Sequence, residues 1–409
     1  MYLSTIDRPR QSVKGAVAAN VFALGTVSLI TDISAEMVTA ILPVYLVVGL
    51  GMSPAAYGLI DGVYSGATVL LRLAGGYAAD RISRRKAVAG AGYAISALAK
   101  LGLLAAGSSV PALAAAITAD RAGKGLRTAP RDALITLSTP DTGLGRAFGV
   151  HRTMDTIGAF AGPLAALGII MLTGGERYDA VFVTSFCVAA FGVVVLVLFV
   201  RDRRGTLTSP SRSVSPRLAL GLLRRAPVRR VLGVACLLGL STIGDGFIYL
   251  LLQRREGLSL GWFPLLAVGT SLAYLLMAYP LGALADRLGR RPVLLIGFLS
   301  LFSVYLLMLS PLRGMAAIVA VLVCLGVFYA ATDGVLMALA GPLLPESLRT
   351  TGLALVQSGQ ALAYLASSVL FGLAWSYWDN TVALVAAALT AMAALVSTRI
   401  LLREASNET

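Results

Sequence analysis

The sequence predicts an all-α membrane protein of twelve transmembrane helices arranged as two pseudo-symmetric six-helix bundles. Three observations carry that expectation. Apolar runs such as Val181–Val200 and Thr381–Leu402 extend for about 20 residues, enough to cross a bilayer. A turn of small, acidic and basic residues, Gly76-Tyr77-Ala78-Ala79-Asp80-Arg81-Ile82-Ser83-Arg84-Arg85, returns 206 positions later as Gly282-Ala283-Leu284-Ala285-Asp286-Arg287-Leu288-Gly289-Arg290-Arg291. The loop cations also gather on one side of the predicted spans, as the positive-inside bias requires.

Composition excludes the other broad classes. Of 409 residues 57% are hydrophobic and 13% charged, with a mean hydropathy of +0.82. Soluble domains carry roughly 25% charged residues. The net charge of +14 invites a nucleic-acid partner, but the cations sit in short loops between apolar runs, so none is expected. Cys187, Cys236 and Cys324 lie inside apolar segments and read as packing residues, with no disulfide implied. The single His151 cannot build a His-rich metal site, and no cofactor or metal is expected. The first fourteen residues are polar and basic, which does not read as a secretory signal.

In order, the first half gives span 1 at Ala16–Val48, interrupted or tilted near Asp32, then Ala55–Ala79, Ala87–Ala106, Val110–Ser138, Phe148–Leu172 and Asp179–Val200. The second half gives spans 7 to 12 at Val228–Leu252, Trp262–Ala285, Pro292–Ser310, Met315–Leu343, Gly352–Tyr377 and Thr381–Leu402. The expected organisation is a cytoplasmic N-terminus (1–15), bundles at 16–200 and 228–402, a basic cytoplasmic linker (201–227) and a cytoplasmic tail (403–409). Arg8, Arg10 and Lys14 precede span 1, and the loops after spans 2, 4, 6, 8 and 10 hold most other loop cations. The far side has only Arg177, Arg254, Arg255 and Arg313, so both termini are expected inside a plasma membrane. The Arg-, Ser- and Pro-rich linker reads either as a contact for anionic lipids or as a flexible connection that reinforces topology.

The duplicated turn resembles the signature loop of the major facilitator superfamily, G-x-x-x-D-R-x-G-R-R, between the second and third helices of each half. The second copy fits fully, and the first departs at Ser83, where the family has Gly. The resemblance implies the major facilitator fold and a monomeric transporter. In it, Gly76, Asp80, Arg81, Arg84, Arg85, Gly282, Asp286, Arg287, Arg290 and Arg291 serve as turn and cytoplasmic-gate residues.

Ionisable groups inside membrane spans are costly and mark function by default. Here they fall into stripes at helical spacing. Span 1 has Asp32, Glu36 and Thr39; span 2 has Asp61, Ser65, Thr68 and Arg72. Span 4 has Asp120, Lys124, Arg127 and Arg131 beside Arg121, Thr128 and Asp132; span 5 has His151, Asp155, Gly158 and Gly162. The second half is drier, with Asp245, Asp333 and a neutral stripe of Gln357, Gln360, Tyr364 and Ser368. Ser28–Asp32 and Ser241–Asp245 read as duplicated counterparts. Four stripes in one half require a hydrated pocket in that bundle and at its interface with the other.

Asp32, Glu36 and Asp155 are the candidates for proton coupling, with Arg121 or Lys124 as the competing cation. Arg72, Arg121, Lys124, Asp245, Asp333, Gln357, Gln360 and Tyr364 are expected to line a substrate pocket. Arg127, Arg131 and Asp132, near the cytoplasmic end of span 4, read equally as an inner gate and as a structural ion network. Gly158, Gly162 and Pro163 resemble the G-x-x-x-G-P motif in helix 5 of the family's proton-driven exporters; the same spacing also serves plain helix packing. Thr31–Met37 and Asp120–Asp132 resemble a group of bacterial efflux-like members. The expectation is a proton-coupled antiporter exporting a small organic solute. The alternatives are a proton-coupled uptake symporter for an anionic metabolite, sugar or metal chelate and, more distantly, a membrane enzyme, against which the chain offers no cofactor loop and a His151 placed at a helix end.

Overall fold

The structure is a computed structural model and describes residues 18–64, 66, 84–140, 143–174, 177–202, 221–344 and 349–404. The first half contains α1 (Ala19–Val44), α2 (described over 54–64), α3 (Arg85–Ala105), α4 (Val110–Leu137), α5 (Leu144–Leu172) and α6 (Tyr178–Phe199). The second contains α7 (Ala226–Ser241), α8 (Asp245–Glu256), α9 (Phe263–Leu288), α10 (Arg290–Leu309), α11 (Met315–Thr332), α12 (Val335–Ala340), α13 (Arg349–Tyr377) and α14 (Asn380–Glu404). Ten helical stretches among the described residues are long and apolar enough to cross a membrane. Helix α4 spans 28 residues but is too charged for a lipid-facing span; its buried face includes Asp120, Arg121 and Arg127.

The halves repeat one packing plan. Helix α1 packs on α5 as α7 packs on α13, α3 on α6 as α10 on α14, and α3 on α4 as α10 on α11. The result is an all-α fold of two pseudo-symmetric six-helix bundles. One end of the molecule, called the basic face below, carries Arg84–Lys86, Arg201 and the Asp286–Arg291 turn. In that turn Gly289 ends α9 at φ +92°, a conformation that disfavours side chains, and Arg290 donates to the Ala338 carbonyl at 2.6 Å. Cations on the opposite face have local tasks. Arg255 donates to the Leu307 and Met308 carbonyls at the end of α10, at 2.7 and 2.8 Å, and Arg254 stacks on Trp375.

Three expectations about continuity are corrected. Helix α1 runs unbroken through Asp32, and its irregularity is a π-turn at Tyr45–Gly49. No opening is needed at Asp32, because a cation reaches it sideways from α4. Span 7 is instead two helices, broken at residues 242–244 immediately before Asp245. The break is tolerated at membrane depth because the buried Tyr305 of α10 serves both freed groups. Its hydroxyl accepts from the Ile243 amide at 3.2 Å and donates to the Ser241 carbonyl at 2.7 Å. Span 10 likewise divides, at Asp333–Gly334.

The halves meet tightly toward the opposite face. Tyr57 of α2 packs edge-on against Phe247 of α8, which also contacts Phe371 and Trp375 of α13. Gly58 lies against the backbone at Ser368, and a β-carbon on Gly372 would stand 2.5 Å from the Pro54 carbonyl. Side chains at these two points would push the bundles apart.

Candidate functional site

A cavity of about 780 Å³ lies between the bundles, lined by α1, α2, α4 and α5 on one side and α8, α9, α11 and α13 on the other. Its lining is graded in exposure. Near the basic face Arg152 and Asp333 are exposed and the Asp132 side chain is 42% exposed. Toward the opposite face the lining residues Tyr57, Ile60 and Tyr249 are buried, above the Tyr57–Phe247–Trp375 cluster. Among the described residues the closed end is therefore the one away from the basic face.

The first-half wall is set by α1 against α5. A β-carbon at Gly158 would come 2.6 Å from the Leu29 carbonyl, and one at Gly162 would come 2.6 Å from Glu36 Cβ. Only glycine permits this approach, and it places the carboxylate face of α1 directly on the Gly158–Pro163 segment. Helices α3 and α4 cross as closely at Gly92 and Gly123.

Charges on this wall are mostly paired. Asp32 lies 3.5 Å from Arg127, whose guanidinium also stacks on Tyr93. Arg131 pairs with Asp132 at 2.9 Å, approaches Asp155 at 4.0 Å and donates to Ser28 Oγ at 3.2 Å. His151 lies 3.5 Å from Asp155 and 3.1 Å from Ser28 Oγ. Deeper in the bundle, Asp120 pairs with Arg121 and with Lys100 at 3.2 Å, and accepts from Ser96. Besides the exposed Arg152, two lining residues differ. Among the described residues, neither the Glu36 nor the Lys124 side chain makes a hydrogen bond or an ion pair. Asp155 Oδ1 is also buried without a partner.

Among the described residues the second-half wall contributes acids and tyrosines but no cation. Asp245 accepts from the Tyr329 hydroxyl at 2.6 Å, and Tyr274 donates to Asp333 at 3.5 Å. Asp61 of α2 crosses to the other bundle, accepting from Tyr364 at 3.0 Å and Ser368 at 2.6 Å.

Of the expected site residues, the structure brings Asp32, Glu36, Lys124, Arg127, Arg131, Asp132, Asp155, Pro163, Asp245, Asp333 and Tyr364 to one cavity. Several placements correct the sequence reading. Arg121 is not on the wall; it stacks at 3.9 Å on Tyr64, which is, while bonded to Asp120. Arg127 sits beside Asp32 within the cavity, in the ion pair that the structural-network alternative expects. Gln357 is exposed and Gln360 lies where α13 packs against Gly239 of α7, so neither lines the cavity. His151 is buried inside α5, two turns from its start. Arg72, Gly76, Asp80 and Arg81 lie outside the described residues, as does linker stretch 203–220. Arg84 and Arg85 open α3, while Gly282, Asp286 and Arg287 lie in the last turns of α9 and Arg290 and Arg291 open α10 at the basic face.

Sequence reasoning placed Asp61 in a polar stripe without assigning it a role, although a carboxylate within a span was signal enough. It missed Lys100, Tyr64, Tyr249, Tyr274 and Tyr329. Lone polar residues in apolar runs carry no spacing signal.

The family model described as "Major Facilitator Superfamily" matches residues 24–269 and 256–409. An uncharacterized MFS-type transporter of Methanocaldococcus jannaschii is 28% identical over 369 residues, 88% of this chain and 89% of the relative. An uncharacterized protein of Mycobacterium bovis is 33% identical over 178 residues, 44% of this chain and 42% of the relative. Among solved structures, the nucleoside transporter NupG superposes with a TM-score of 0.79 at 14% identity, covering 94% of this chain and 98% of that one. A POT family transporter in complex with 5-aminolevulinic acid superposes with a TM-score of 0.79 at 16% identity, covering 96% and 97%.

Proposed function

This chain belongs to the Major Facilitator Superfamily, and we propose that it is a proton-coupled antiporter exporting a small organic solute across the plasma membrane by alternating access. It is a multi-pass membrane transporter. The basic face is read as cytoplasmic, with both termini on that side, because loop cations are retained inside. The solute enters the cavity there and leaves when the bundles rock apart at the Tyr57–Phe247 contact. The Asp286–Arg291 turn and its first-half counterpart close the cytoplasmic side in the outward-facing state. Basic residues around the linker rest on anionic lipid head groups, and the transporter works as a monomer.

One observation carries the coupling. Glu36 and Lys124, an acid and a base, line the cavity from neighbouring elements, both without a hydrogen bond or ion pair among the described residues. Asp32 has Arg127 and Asp155 has Arg131, so a proton arriving at either displaces an ion pair. Glu36 has no pair to lose. It is therefore the first proton carrier proposed, with Asp155 and Asp32 behind it. Outward direction rests on the Gly158–Pro163 segment, which resembles that of proton-driven exporters and seats directly on Asp32 and Glu36.

The uptake reading is favoured by Lys124 and Arg152, which could hold an anionic solute. Everted vesicles with an acidic lumen separate the two. A solute carried by antiport dissipates the pH gradient when added outside; one carried by symport deepens it. Dissipation that requires this protein is the expected result.

A further inference from the structure

At the closed end of the cavity lies a second polar cluster that proton coupling leaves unused. Asp61 accepts its two hydrogen bonds through Oδ2 alone, and Asp245 accepts its one through Oδ1 alone. Among the described residues nothing bonds to Asp61 Oδ1 or Asp245 Oδ2, and no lysine or arginine pairs with either acid. The two acids are adjacent, since a β-carbon at Gly244 would stand 2.9 Å from Asp61 Cγ. Beside them is Tyr57, only 3% exposed, which lines the cavity with its hydroxyl over Gly246. That hydroxyl makes no hydrogen bond among the described residues.

Resting on the transport reading above, we infer that Asp61, Asp245 and Tyr57 form a subsite for the protonated amine of an organic substrate. Two carboxylates at membrane depth with no cation of their own are expensive to keep, and a bound cation offsets that cost. A primary ammonium has three N–H donors, matched by the two free carboxylate oxygens and the Tyr57 oxygen. Tyr329 and Tyr364, already bonded to the acids, add ring surface for the cation and for an aromatic body. A role for Asp61 as a tie between the bundles accounts for its bonds to Tyr364 and Ser368. It does not account for the free oxygen of Asp245 or the unbonded Tyr57 hydroxyl. None of its three residues is Glu36, so solute and proton are held by different side chains.

The test is thermal unfolding of the purified full chain in detergent, titrated with tryptamine, with indole-3-propionate of matched size, and with sodium chloride. Tryptamine is expected to raise the melting temperature by mass action, and indole-3-propionate is not. Asp245→Asn, which leaves the cross-bundle bonds in place, is expected to weaken the tryptamine response by about tenfold or more in apparent Kd. Tyr57→Phe should weaken it less. No response to tryptamine, an equal response to indole-3-propionate or to sodium, or an unchanged response in Asp245→Asn would each overturn the subsite. Its failure is distinguishable from failure of the transport reading. Loss of solute-driven proton movement with amine binding intact removes the coupling, while proton movement intact with amine binding indifferent to Asp245 removes the subsite.

Discussion

The two halves hold buried acids in different ways. In the first, α1 stays regular through Asp32 and the charge is met by Arg127 from α4; Asp120 is met by Lys100 and Arg121. In the second, the chain breaks just before Asp245 and at Asp333, and tyrosine hydroxyls stand where the first half has cations. A duplicated topology thus supports two solutions to one problem, an ion-pair network and a set of broken helices with neutral donors. The first rigidifies a wall that handles charge. The second leaves Asp245 Oδ2 open to a ligand and holds Asp61, which α2 brings across from the first half, by the same kind of neutral donor.

That contrast can be broken most severely at Asp120. Asp120→Asn strands both Lys100 and Arg121 inside the bundle, and removing one partner of a buried pair costs about 3–5 kcal/mol. Thermal unfolding in detergent should show a large fall, whereas Asp245→Asn, which strands no cation and keeps an acceptor for Tyr329, should cost no more than about 1 kcal/mol. Equal losses would show that the halves do not differ as described. Next in size is Gly162→Leu, which drives a side chain into Glu36 and should cost about 3 kcal/mol. Gly168→Ala on the same helix meets nothing within 4 Å and serves as the neutral control.

The sequence revealed the bundles, the duplicated turn and the cavity-facing stripes, because apolar run length and helical spacing report them directly. The helix breaks were hidden. Ser241-Thr242-Ile243-Gly244 continues a run that a membrane helix can accommodate, and the tyrosine that stabilises the break lies 62 residues further on. The partner of Asp32 was hidden for a related reason. Arg121 lies in the row beside Lys124 and Arg127, and helical spacing alone does not say which of the three reaches α1; Arg127 does. Gln357 and Gln360 followed the right spacing but sit on a stretch of α13 that packs on α7.

Tyr305→Phe sharpens the comparison from the second half. It leaves the Ile243 amide and Ser241 carbonyl without their shared partner, and should cost about 1–2 kcal/mol. A small effect is expected of Gly289→Ser, which gives the second turn the residue found in the first, Ser83. At φ +92° it should cost about 1 kcal/mol in thermal unfolding. No change there would mean that the turn relaxes freely.

The most direct measurement of the coupling claim compares two fluxes through Glu36→Gln in proteoliposomes: solute-driven proton movement and exchange of labelled for unlabelled solute without a gradient. The account predicts that proton movement is lost while exchange continues, because the cavity is kept and only the exchangeable carboxylate is gone. Proton movement that persists at the wild-type rate would contradict it.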